Sequence, residues 1–124
     1  MIELFKEFTF EAAHQVPSYS SVHGHSFMVE VNLRGDADER YGWVTSLTEI
    51  DPVIAKVQHE LDHRLLNEIE GLSVPSLENI ARWIWNRLDN ALPGLYGVTV
   101  RRGVAGHGEG CTYRGRPRSA PAAA

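Results

Sequence analysis

The chain of 124 residues has a single cysteine, Cys111. An intrachain disulfide is therefore excluded, and a reducing, cytoplasmic setting is expected. It has no apolar run approaching the roughly 20 residues of a membrane-spanning helix, so no membrane partner is expected. The start, Met1-Ile2-Glu3, lacks the pattern of a secretory signal. An excess of basic charge is missing too. The formal net charge is −4, which gives no electrostatic footprint for nucleic acid. Neither G-x-x-x-x-G-K-[ST] nor G-x-G-x-x-G occurs, so no ready-made phosphate cradle is present.

What is present is an ordinary soluble composition, 43% hydrophobic and 23% charged, sufficient for one core and one domain. Ile2, Leu4, Phe8, Phe10 and Ala12 alternate with Glu3, Glu7, Thr9 and Glu11, which predicts a half-buried strand over 2–12. His14 continues its apolar face. Pro17 and residues 18–21 form a loop, and a second strand is expected over 25–34. Gly35-Asp36-Ala37-Asp38 turns the chain, and Tyr41 to Thr45 suggests a short edge segment.

Asp51-Pro52 reads as the cap and first position of a helix carrying Ile54, Val57 and Leu61. Ser76 reads as the cap of a second, with Leu77, Ile80, Ala81, Ile84 and Leu88 as its buried stripe. Strands are expected at Val98–Arg101 and Thr112–Arg114, either side of a glycine-rich segment from Gly103 to Gly110. The expectation is an α+β domain over 1–115 with ββααββ order, its four strands in one antiparallel sheet beside two helices. Residues 116–124, rich in Pro, Ala and Arg, carry no core pattern and are expected to be a mobile tail.

Three patterns could carry chemistry. His23-Gly24-His25 places two imidazoles on one strand face, and His14 is a third nitrogen donor on the neighbouring strand. Three histidines leave the fourth position of a Zn²⁺ ion open for water or substrate. Asp62-His63 pairs a carboxylate with a candidate general base. His59-Glu60-Leu61-Asp62-His63 matches H-E-x-x-H, the helix of zinc metalloproteases. However, Leu66 stands where the extended protease motif needs glycine, and no third ligand pattern follows. In the glycine-rich segment, His107 and Glu109 are candidate substrate contacts.

Taken as blocks, Phe8-Thr9-Phe10-Glu11-Ala12-Ala13-His14, His23-Gly24-His25-Ser26-Phe27, Leu61-Asp62-His63-Arg64-Leu65-Leu66-Asn67 and Pro75-Ser76-Leu77-Glu78-Asn79 resemble the 6-pyruvoyltetrahydropterin synthase family. Within it they are most similar to the bacterial 6-carboxytetrahydropterin synthase branch of queuosine biosynthesis. The likeness spans about residues 3–115. It implies the tunnelling fold, in which strand pairs of several subunits close a barrel, and a homohexamer built from two trimers. It implies zinc on His14, His23 and His25, a catalytic pair of Asp62 and His63, and a pterin substrate, with Ser76 among the candidate substrate contacts. The family substrate is 7,8-dihydroneopterin triphosphate.

The chain departs from the family pattern at three places. Tyr19 stands where the family has a catalytic cysteine, and Cys111 lies elsewhere. Arg102 stands where a glutamate anchors the pterin, and Ser46 replaces an aspartate. These departures imply an altered substrate or reaction, with Glu109 or His107 as a replacement anchor. A non-catalytic zinc protein binding a pterin- or purine-like ligand is the alternative, and the metalloprotease is a third reading.

Overall fold

Two long strands, β1 (Ile2–His14) and β2 (His23–Gly35), run antiparallel in continuous register, from Ile2 opposite Gly35 to His14 opposite His23. They are the centre of the computed structural model, which describes residues 1–19, 21–104 and 106–115. The tail expected to be mobile, residues 116–124, lies outside the described residues. The alternation of β1 and β2 divides the sheet into two faces. Phe10, Phe27, Val29, Val31 and Leu33 are buried on one. Phe5, Thr9, Glu11 and Ser26 are exposed on the other.

Helix α1 (Leu47–Leu61) and helix α2 (Leu77–Leu88) cover the apolar face. Helix α2 starts as its sequence dictates. Ser76 is extended, and its Oγ accepts a hydrogen bond from the Asn79 N–H at 3.2 Å. Ile80, Ala81, Ile84, Trp85 and Leu88 form the buried stripe. Ile80, Ile84 and Leu88 are fully buried, and each contributes roughly 1.5–3 kcal/mol.

Helix α1 begins earlier than the Asp51-Pro52 reading. Its cap is Ser46, and Pro52 lies inside the helix. The apolar stripe of α1 starts only at Ile50, so its exposed first turn has no periodic signal. Asp51 is instead an ion-pair partner of Lys6, at 3.1 Å. That contact also explains how a lysine sits on the covered face of β1. The segment 41–45 is not a strand. The Asp38 carboxylate accepts from the backbone N–H groups of Tyr41 and Trp43, at 2.8 and 3.1 Å, and curls the chain around itself.

The sheet has five strands rather than four, in the order β3-β1-β2-β4-β5. Strands β4 (Leu95–Arg102) and β5 (Glu109–Tyr113) extend it antiparallel beyond β2. The added strand, β3 (Arg64–Leu65), runs parallel to β1. Two residues are too few to show an alternating pattern, and the chain reaches this position by a tight reversal after α1. A single 3₁₀ turn, Leu66–Glu68, follows. Among the described residues, no helix is long and apolar enough to cross a membrane.

Candidate functional site

The β1–β2 register decides which histidines meet. His14 lies opposite His23, and Ala12 lies opposite His25. All three imidazoles therefore continue the covered face, beyond the stacked rings of Phe10 and Phe27. Ring centroids are 4.7 Å apart for His14 and His23, 5.1 Å for His14 and His25, and 4.8 Å for His23 and His25. One ligating nitrogen from each lies within 4.8 Å of the other two.

The hydrogen bonds fix the chemistry of these rings. His14 Nδ1 is 2.8 Å from the Pro75 carbonyl oxygen, and His23 Nδ1 is 3.2 Å from that of Ser21. A carbonyl only accepts, so each Nδ1 carries the hydrogen. In the neutral rings both Nε2 atoms are then bare, yet they face each other at 3.1 Å. Two lone pairs at that distance repel unless a cation or proton lies between them. His25 Nε2 is buried and has no hydrogen-bond partner among the described residues.

Three nitrogens bound to one zinc at 2.0–2.1 Å would stand about 3.3 Å apart in tetrahedral geometry. The donor set therefore fits such an ion, with carbonyls orienting two ligands from behind. Burial, ahead of the charges of His23 and Arg102, lowers the pKa of His14. Burial, followed by the Arg102 charge, does the same for His25. Both are thus biased toward the neutral, ligating form.

The loops that hold the tripod explain two of the sequence blocks. The Asn67 side chain acts as a substitute strand for Gln15, next to His14. Its Oδ1 accepts from the Gln15 N–H, and its Nδ2 donates to the Gln15 carbonyl, each at 2.8 Å. Pro75 supplies the carbonyl behind His14, and Asn79 Nδ2 ties down the preceding Val74 carbonyl at 2.8 Å. Ser76 is committed as the α2 cap, and no hydrogen bond joins its side chain to the tripod among the described residues. Asn67→Ala removes both of these hydrogen bonds to the Gln15 backbone and is expected to cost about 0.5–1.5 kcal/mol for each. Denaturant unfolding would register this loss.

Asp62 and His63 form a second site, at the reversal after α1. Asp62 Oδ1 accepts from the Glu11 N–H at 2.8 Å, and the His63 N–H donates to the Glu11 carbonyl at 2.6 Å. This clip holds His63 at φ 57°, an uncommon left-handed conformation in which histidine is over-represented. His63 Nδ1 lies 2.9 Å from Asp62 Oδ2. The carboxylate accepts a hydrogen bond from Nδ1–H, which leaves Nε2 as the acceptor nitrogen on a ring that is 79% exposed. The Glu11 N–H, then the His63 bond, hold the Asp62 pKa below its ordinary value. Its contribution to stability is present above the ordinary carboxylate range and is lost as pH falls through the lowered value.

The H-E-x-x-H reading fails on geometry. Helix α1 ends at Leu61, so His63 lies past the Asp62 cap and cannot share a helix face with His59. The dyad also stands apart from the tripod. His63 is beside Glu11, three strand positions or roughly 10 Å from His14 along β1.

Arg102 reaches the tripod. Its Nη1 is 3.5 Å from His14 Nε2, while its Nε and Nη2 donate to Glu109 Oε1 at 2.8 and 2.6 Å. The two residues are register partners across β4 and β5. The sequence offered Glu109 as a substitute for the anchor missing at Arg102 but not as its ion-pair partner; extending both strands symmetrically into the glycine-rich segment brings the two face to face. His107 lies in the exposed turn between these strands. Tyr19 packs its half-exposed ring against His23, with centroids 5.0 Å apart. Cys111 is half-buried, and burial raises its thiol pKa, away from the reactive thiolate. An open groove of about 930 Å³ extends from Arg102 and Glu109 across Ser26, Met28 and Thr99.

Residues 3–116 match the family model described as 6-pyruvoyl tetrahydropterin synthase. The chain is 37% identical to the 6-carboxy-5,6,7,8-tetrahydropterin synthase of Synechocystis, covering 95% of this chain and 96% of that one. It is 39% identical to the dihydroneopterin monophosphate aldolase of Pyrococcus furiosus, over 69% of this chain and 74% of the other. The solved structure of Caenorhabditis elegans 6-pyruvoyl tetrahydropterin synthase superposes with a TM-score of 0.80 at 25% identity. That match covers 92% of this chain and 95% of the other.

Proposed function

The chain belongs to the 6-pyruvoyl tetrahydropterin synthase family, and from that membership we propose that it is a zinc-dependent, lyase-type enzyme acting on a pterin. The observation that carries the metal assignment is the convergence of three imidazole nitrogens, two of them bare and facing at 3.1 Å. His14, His23 and His25 would hold the ion, which would supply Lewis-acid polarisation to a substrate hydroxyl. The Pro75 and Ser21 carbonyls hold two of the rings in the ligating tautomer.

His63 is the proton-transfer residue of this reading. Its Nε2 takes a proton from substrate, and the Asp62 carboxylate stabilises the imidazolium that results. Within one chain the dyad does not touch the tripod. A homohexamer, a dimer of trimers with sites between subunits, would let the dyad of one copy serve the tripod of another. The exposed sheet face with Phe5 and Glu11 suits such an assembly. A non-catalytic zinc protein has no evident need for an oriented histidine with an exposed acceptor nitrogen.

The substrate is a pterin other than the one handled by the queuosine branch, or it undergoes a different step. A guanidinium at Arg102 offers donors only, where the family glutamate accepts from the aminopyrimidinone edge. Glu109, gripped by Arg102, is the candidate replacement acceptor. The phenol of Tyr19 replaces a thiol beside His23. The test is incubation of zinc-loaded protein with 7,8-dihydroneopterin triphosphate while triphosphate release is followed. Slow or absent release, with a gain in the Tyr19→Cys, Arg102→Glu double variant, is expected. Release at ordinary family rates would refute the altered chemistry.

A further inference from the structure

The placement of Arg102 raises a question of charge. Its side chain is only 15% exposed. Two of its nitrogens are held by one carboxylate oxygen of Glu109, and the third, Nη1, is turned toward His14 Nε2 at 3.5 Å. That same Nε2 is the atom proposed above to bind zinc. A metal on the tripod would therefore share its immediate surroundings with a second positive charge. Glu109 offsets part of that charge from the far side, but its side chain is 62% exposed and its carboxylate engages Nε and Nη2, not Nη1. Two adjacent cations at the end of an open groove are best reconciled by an anion that touches both.

Resting on the metal reading, we propose that Arg102 is a specificity residue: it selects a substrate with a compact anionic group, a carboxylate or phosphate, next to its metal-chelating oxygen. One oxygen of that group, or the chelating oxygen beside it, would take the open metal position, and another would accept from Arg102 Nη1. Glu109 offsets part of the guanidinium charge through Nε and Nη2, so it competes with the incoming anion. A neutral diol of the same size could use the metal but would leave Nη1 without an acceptor.

Cobalt-substituted protein provides a test without turnover, because ligand binding at the metal changes its visible absorption. Lactate, inorganic phosphate and propane-1,2-diol are titrated separately. At least one anion should bind about tenfold or more tightly than the diol, the scale of one charge-assisted hydrogen bond. Preference for lactate identifies the group as carboxylate, and preference for phosphate identifies it as phosphate. Arg102→Gln should weaken anion binding by about tenfold while cobalt stoichiometry and diol affinity are unchanged, and Arg102→Lys should lose less. Glu109→Gln, at an exposed side chain, should raise anion affinity and remains informative if Arg102→Gln does not fold. Cobalt-loaded Arg102→Gln that binds the anion as tightly as the parent overturns the proposal, as does a Glu109→Gln variant with weaker anion binding. Failure of the parent protein to take up cobalt overturns the metal reading beneath it, and is recognised before any anion is added.

Discussion

His63→Ala is expected to lower turnover of the pterin substrate by about 10²–10⁴, the usual worth of a general acid or base. Zinc content should be unchanged, because His63 lies at the α1–β3 reversal and the tripod lies at the ends of β1 and β2. The protein should also stay folded. The His63 side chain is 79% exposed, and the backbone bond from its N–H to the Glu11 carbonyl does not require the ring. Asp62→Asn should be less clean. It weakens the acceptor for the Glu11 N–H as well as the partner of His63 Nδ1, so both stability and rate should fall. A loss below about tenfold for His63→Ala would show that proton transfer belongs to another group.

Phe27→Ala is expected to produce the largest change in stability, about 3–5 kcal/mol. Phe27 is fully buried and stacks on Phe10, with centroids 4.9 Å apart and planes at 13°. It also meets the rings of His14 and His25 edge-on, at 5.6 and 5.5 Å. Its removal would open a cavity under the tripod as well as in the core. Against a total stability of about 5–15 kcal/mol for a domain, such a loss leaves a marginal protein. Added metal should then raise its unfolding midpoint, since binding to the native state stabilises by mass action. Denaturant unfolding with and without zinc measures both effects. A loss below about 1 kcal/mol would mean that the space refills readily.

The sequence carried the tripod clearly because a strand has a strict period of two. His23, His25 and Phe27 share a face by parity alone, and His14 follows Phe10 and Ala12 in the same way. Helix α2 was equally legible, with its cap and stripe in agreement. Other features depend on information outside any local pattern. Strand β3 is two residues long and owes its position to the clip around Glu11. The start of α1 was displaced because its first turn is exposed and Pro52 imitates a first helical position. The Asp62–His63 bond could not be inferred from adjacency; it requires the left-handed φ of His63. The carbonyls behind His14 and His23 have no side-chain signature at all. Arg102 and Glu109 were obscured by the glycines between them, which suppress the alternation that would have marked the two strands as partners.

The tripod is the claim on which the rest depends, and zinc content tests it most directly. Purified parent protein and the variants His23→Ala and His59→Ala should be compared by metal analysis. The prediction is about one zinc per chain in the parent and in His59→Ala, and little or none in His23→Ala. Full zinc in His23→Ala, or its loss in a folded His59→Ala, would contradict the assignment of the metal to His14, His23 and His25.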